Sequence, residues 1–175
     1  AAGGKWCTCG MDHGERKSPE AAACKASGGD WKIDYEAGEE GCLVKGKESG
    51  IWTGYYPNGA KRWSGNFVDG YRDGHGEERH PTGEMLHQGE WALGIPDGTH
   101  TWVSPTGKEY GSSQVVSGTG QVHEYSPSGK HSFDVEYLGG QGHGLWKRYY
   151  DNGALAEETT YDAGKKTGPY RRYHI

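Results

Sequence analysis

Long apolar runs are missing from this 175-residue chain. Nothing in it approaches the ~20 consecutive apolar residues that a membrane-spanning helix needs. Leu, Ile, Val and Phe are scarce, with only 2 Phe and 2 Met alongside them, which excludes a thick aliphatic interior. Positive charge is not in excess either. The formal net charge of −5 argues against a nucleic-acid partner. Cysteine is absent beyond Cys42. No nucleophile elbow, phosphate loop, His-Glu-x-x-His helix or dinucleotide fingerprint occurs, so no catalytic residue, cofactor or metal is assigned and enzymatic activity is not expected.

Aromatics and glycine fill the gap: 7 Trp, 12 Tyr and 32 Gly. The glycines fall at regular intervals within turn-like tripeptides. Pro57-Asn58-Gly59, Pro81-Thr82-Gly83, Pro105-Thr106-Gly107, Pro127-Ser128-Gly129 and Asp151-Asn152-Gly153 succeed one another in steps of 24, 24, 22 and 24 residues. A period of this length means one supersecondary unit copied in tandem. A second series, Gly70, Gly94, Gly118, Gly140 and Gly164, and a third, Gly74, Gly98, Gly120, Gly144 and Gly168, mark the connectors. The two missing residues fall between Gly118 and Gly120. Gly139 to Gly144 is glycine-rich for the same reason, being one of these connectors.

Between the landmarks lie strand formers. Trp63-Ser64-Gly65-Asn66-Phe67, His87-Gln88-Gly89-Glu90-Trp91 and Phe133-Asp134-Val135-Glu136-Tyr137 occupy equivalent positions. Alternation places the first, third and fifth residues of each on one face. Phe67, Trp91, Val115, Tyr137 and Tyr161 therefore form an apolar ladder, and the small middle residue leaves bare backbone for a neighbouring ring. The other strand of each unit, as in Trp52 to Tyr56 and Trp146 to Tyr150, carries rings on both parities and does not declare its buried face.

These residues resemble MORN repeats (membrane occupation and recognition nexus), hairpin units of about two dozen residues. Trp63-Ser64-Gly65-Asn66-Phe67-Val68-Asp69-Gly70-Tyr71-Arg72-Asp73-Gly74 carries the likeness most fully. The Tyr-Tyr-Pro/Asp-Asn-Gly turns are similar to the bacterial variant of the repeat, found in proteins labelled as toxin–antitoxin components. The likeness spans residues ~43–175 and departs most at Gly107 to Gln121. It implies a mainly β fold: an elongated, single-sheet antiparallel β-hairpin array of about five copies plus a terminal half-copy. It also implies an interaction role and carries no catalytic residues.

Residues 1–42 read as a small disulfide-stapled cap. Its four cysteines, Cys7, Cys9, Cys24 and Cys42, are expected to form two disulfides. A Cys7–Cys9 bridge would close a strained ring, so Cys24 and Cys42 are each expected to pair with one of the early cysteines. A zinc site from Cys7, Cys9, His13 and Cys24 is disfavoured because Cys-Thr-Cys is too tightly spaced. One short helix is expected here, with Ser18 as N-cap, Pro19 in the first turn and Gly28 or Gly29 ending it. The small residues at Ala1 to Gly4, together with the cysteines, suit an exported protein that is periplasmic, surface-bound or secreted.

Nine histidines are scattered over different repeat columns. His87 and His100 stand where other copies have aromatics and read as packing rings. His80 and His87 flank one turn and are expected to approach each other. A genuine site would require two or three histidines to converge with a carboxylate. Trp52, Tyr55, Tyr149 and Tyr150 are the expected binding strip, since interface hot spots favour Trp and Tyr. Lys147, Arg148, Lys165, Lys166, Arg171 and Arg172 gather near one end and read as a solvated face. The chain is thus expected to be a non-catalytic exported module that binds or scaffolds another protein. A glycan- or peptidoglycan-binding role through the aromatic strip is the alternative, as is an immunity or antitoxin role. Membrane association has no support in the residues.

Overall fold

The structure, a computed structural model, describes residues 18–174. Its one helix among the described residues, α1 (Pro19–Ala26), forms where the sequence places it. Ser18 accepts the Ala21 N–H at 3.1 Å, Pro19 needs no partner in the first turn, and Glu20 faces the positive end. Gly28 takes the left-handed conformation (φ +78°) that ends the helix, and the Gly29 N–H returns to the Cys24 carbonyl at 2.9 Å.

Everything beyond is strand. In chain order the strands are β1 (Asp30–Asp34), β2 (Glu39–Val44), β3 (Lys47–Tyr55), β4 (Lys61–Val68), β5 (Tyr71–Arg79), β6 (Met85–Ala92) and β7 (Ile95–Val103). They continue as β8 (Glu109–Val116), β9 (Thr119–Tyr125), β10 (His131–Leu138), β11 (Gln141–Tyr149), β12 (Leu155–Asp162), β13 (Lys165–Lys166) and β14 (Arg171–Arg172). All 14 belong to one open antiparallel sheet in sequential order, with β13 and β14 both pairing with β12. At about 4.8 Å per strand step the path is roughly 60 Å long. The sheet already includes β1 and β2, so among the described residues it begins at Asp30.

Each hairpin from β3–β4 to β11–β12 has a turn end and a connector end. At the turn end the Gly59 N–H bonds the Tyr56 carbonyl at 2.8 Å, and the same bond recurs at Gly83, Gly107, Gly129 and Gly153. Pro at the second position and a left-handed glycine at the fourth suit a type I turn with a bulge after it. At the connector end, two successive left-handed residues such as Asp69-Gly70 and Leu93-Gly94 close tight turns of the mirror-image class.

Neighbouring units are tied at both ends. The Tyr56 hydroxyl donates to the Arg79 carbonyl and the Asn58 amide to the Pro81 carbonyl, at 2.7 and 3.0 Å. Across the connectors the Leu93 N–H meets Asp73 Oδ1 and the Ser117 N–H meets Asp97 Oδ1, at 3.1 and 2.8 Å. Backbone bonds Gly70→Glu48 and Gly94→Arg72 join the same edges.

One face is the seam. Rings lean onto strand glycines of the preceding strand: Trp52 over Gly41, Trp63 over Gly54, Trp91 over Gly76, His100 over Gly89 and Tyr125 over Gly111. At Gly65 the occupant is the Arg72 side chain rather than a ring, and its guanidinium sits 4.6 Å from the Trp91 ring centre. The expected ladder is present on this face, with Val115 fully buried and Phe67, Trp91, Tyr137 and Tyr161 half-buried. Burial is deepest around Trp102, Val115 and Val122, backed by Tyr110, Tyr125 and Tyr137. This is the shortened copy. There the β8–β9 register covers only Val115↔Gly120 and Val116↔Thr119, and Ser113 Oγ takes the His123 N–H at 2.8 Å.

The disulfide expectation needs correction. Cys24 and Cys42 bond to each other rather than each to an early cysteine, with Cα atoms 5.6 Å apart. Packing of α1 on β1 and β2 sets this distance, and Gly29 leaves the space: a Cβ there would lie 2.6 Å from Cys42 Sγ. Cys7, Cys9 and His13 lie outside the described residues.

Candidate functional site

The four expected strip residues do not share a surface. Trp52 is only 9% exposed, its ring on Gly41 and its Nε1–H bonded to the Cys42 carbonyl at 3.0 Å. Tyr55 points to the opposite face, donating to Glu40 Oε1 at 2.6 Å. Tyr149 does likewise, donating to Asp134 Oδ2 at 2.7 Å. Tyr150 sits at the turn end and donates to the Tyr173 carbonyl at 2.7 Å. Alternation along β3 explains the split, since Trp52 and Tyr55 are three residues apart there, and the register shifts beside Tyr55 and Tyr149 place the extra residue on the facing strands, at Arg62 and Ala156.

Exposed apolar surface gathers instead at the connector end of the hairpins. Val68, Val116 and Leu138 occupy one repeat column, each the last strand residue before a tight turn. Val116 and Leu138 are 63% and 54% exposed. Tyr71 pairs with Val68 across its turn, which puts both on one face, and lies against Gly94. Leu93 stands at a turn tip, 60% exposed, in a left-handed conformation (φ 49°) that Asn, Asp or Gly normally fills. A leucine there carries a conformational cost and an exposed apolar side chain together. Neither is explained by the fold, and strained residues of this kind cluster at functional positions. The sequence signal for this surface was Leu93 itself, a large aliphatic residue in a turn column that elsewhere holds Lys45, Asp69, Ser117, Gly139 and Ala163.

The opposite, polar face carries cross-strand pairs such as Thr53↔Ser64, Glu77↔Gln88 and Thr101↔Ser112. In the fourth hairpin this ladder becomes His123↔Asp134. His123 Nδ1 and His131 Nε2 approach the same atom, Asp134 Oδ1, at 2.6 and 2.7 Å. Asp134 is held below the usual carboxylate range: burial works against ionisation, but bonds from Tyr149 and His123 and the electrostatic effect of His131 outweigh it. In turn, burial and the Asp134 carboxylate push the Tyr149 hydroxyl up to about 12.

His87 and His100 behave as packing rings. His87 stacks on Trp102 at 4.2 Å between centres and lies edge-on to Trp91 at 5.9 Å. His100 Nδ1 is 3.3 Å from His87 Nε2. His87 thus meets His100 rather than His80, whose Nε2 lies 3.4 Å from the Val103 carbonyl. Burial is the main cause that lowers the pKa of both His87 and His100, His87 to about 3. Several basic residues near the end are paired: Arg148 and Arg172 with Glu157, at 2.7 and 2.9 Å, and Arg171 with Glu158, at 2.9 Å.

The family model described as MORN repeat variant matches residues 142–163, which span β11, its turn and β12. That match, with the same hairpin recurring upstream, is consistent with a MORN-repeat protein. MORN repeats often mediate protein or membrane binding, and their hairpin array is a non-enzymatic repeat fold. No curated protein matches the chain. Among the described residues, no helix is long and apolar enough to cross a membrane.

Proposed function

We propose that this chain is a non-catalytic, exported binding module that docks one protein partner along the connector end of its hairpins. The observation that carries the reading is Leu93, exposed and left-handed at the connector end, where Val68, Val116 and Leu138 form an exposed column of their own. Aliphatic side chains at roughly one per unit suit the apolar centre of a protein interface. Sugar rings favour flat aromatic platforms, and the aromatics proposed for that role lie in the seam or are held by hydrogen bonds. The Cys24–Cys42 disulfide is compatible with an oxidising compartment, which supports assignment to the periplasm, the cell surface or the medium. Within this reading an antitoxin or immunity role specifies the partner as a toxin.

The test is affinity capture from native cell envelope after chemical cross-linking. Wild-type protein is compared with a triple variant, Leu93→Asn, Val116→Thr and Leu138→Thr, that preserves turn and strand preferences. One polypeptide should be retained by the wild type and lost at least tenfold by the variant. Equal retention by both would reject the connector-end surface. Retention of lipid or peptidoglycan without a polypeptide would reject a protein partner.

A further inference from the structure

The geometry points to a divalent transition-metal site, with zinc as its ion, formed by His123 Nδ1, His131 Nε2 and Asp134 Oδ1 in the hairpin β9–β10. The three atoms lie within 4.8 Å of one another. Two imidazoles and one carboxylate form a donor set typical of zinc, which takes such ligands at about 2.0–2.2 Å. Ligands around a tetrahedral ion lie roughly 3.4 Å apart at those bond lengths. The observed N···O separations of 2.6 and 2.7 Å need only a small opening of the side chains to admit one.

Two features distinguish this cluster from an ordinary ion pair. His131 Nε2 is buried and makes no hydrogen bond of acceptable angle, although Asp134 Oδ1 is 2.7 Å away. It approaches the oxygen too obliquely for an N–H to serve it, leaving a ring nitrogen without a partner beside a carboxylate. An ion between them would give that nitrogen a ligand role. In addition, the outer shell is built. The Tyr149 hydroxyl holds Asp134 Oδ2, leaving Oδ1 to bind alone, and the Tyr149 ring stacks on His131 at 4.7 Å between centres. Partners of this kind orient metal-binding side chains.

The arrangement is a local departure from the repeat. Positions equivalent to His123 hold Thr53, Glu77, Thr101 and Lys147, and those equivalent to Asp134 hold Ser64, Gln88, Ser112 and Glu158. Positions equivalent to His131 hold Lys61, Met85, Glu109 and Leu155. The hairpin fold therefore does not require these three residues. His131 and Asp134 would face opposite sides of a regular strand. The register shift between His131 and Phe133 brings them to the same side. Three protein ligands leave a fourth position open, as in zinc sites that take an exchangeable water or an external ligand.

The experiment uses the full chain, stripped with chelator, and titrates zinc alone against a chromophoric competitor. A Cys7→Ser, Cys9→Ser background removes the two other cysteines of the sequence. One zinc per chain should bind, and ring-nitrogen resonances should shift at His123 Nδ1 and His131 Nε2. Cobalt in place of zinc should give visible absorption without a thiolate charge-transfer band. Asp134→Asn and His131→Gln should each weaken binding at least tenfold, Tyr149→Phe less, and His75→Gln, in an exposed His–Glu pair, not at all. Unchanged zinc affinity in Asp134→Asn, or zinc binding that leaves both histidine resonances in place, would overturn the site. The resonance test needs no variant, so it decides the matter even where a substitution impairs folding.

Discussion

At the scale of single residues, His87 links packing to pH. Folded, its imidazole stays neutral down to about pH 3, because burial and the neighbouring His100 and Arg72 oppose its charge. Unfolded, it takes up a proton near pH 6.5. The unfolded chain thus binds more protons between those values, so stability is complete above pH 6.5 and falls as pH drops towards 3. The full shift corresponds to an upper bound on the order of 4–5 kcal/mol, at about 1.4 kcal/mol per pH unit. His87→Phe keeps a ring in the stack without a titrating group. Urea midpoints at pH 7 and 4.5 should lie closer together for this variant than for wild type; parallel losses would show that His87 is not the sensitive group. Leu93 offers the complementary case. Leu93→Asn should raise stability by about 1 kcal/mol by relieving the left-handed leucine. The same change should weaken partner retention, and opposite signs in a melt and a capture assay would separate contact from folding.

Within the hairpin, glycine decides which ring goes where. A Cβ at Gly89 would fall on the His100 ring, which is held by Trp91 and Trp102 and has no room to retreat. Gly89→Ala should therefore cost about 1–3 kcal/mol as an overpacking change. At Gly65 the obstacle is Arg72 Nε at 3.1 Å, the polar part of a flexible side chain. Gly65→Ala should cost clearly less, and chemical denaturation of the two variants side by side checks the order. The period, the turns, α1 and the apolar ladder were legible in the sequence because each rests on local spacing. The bulges were not, since no residue type announces Arg62 or Ala156 as the extra residue of its strand. For the same reason the sequence showed His123, His131 and Asp134 as scattered, although a bulge and a cross-strand pair bring them together. The Cys24–Cys42 pairing was hidden because it depends on how α1 packs against β1 and β2.

Across the whole molecule, contacts run mainly between neighbours in the strand order. Bonds between successive turn ends and successive connectors tie each unit to the next, and no second layer covers the sheet among the described residues apart from α1. Stability in such an array is close to a sum of unit and nearest-neighbour contributions. A local loss should then stay local. The disulfide, whose cysteines are 18 residues apart in the chain, is the sharpest probe because it lies at one end. Loops of this size contribute about 3 kcal/mol in the chain-entropy account. Replacing both cysteines, as Cys24→Ala with Cys42→Ala, should strip amide protection from α1, β1 and β2 and thin it through β3. Protection in β10, β11 and β12 should stay at wild-type levels. The seam between β8 and β9 is where transmission should fail most completely, since few ladder pairs cross it. Residue-resolved hydrogen exchange on the two proteins checks this. A uniform drop in protection from β1 to β12 would mean that the sheet opens as one unit, and the nearest-neighbour account of its stability would then fail.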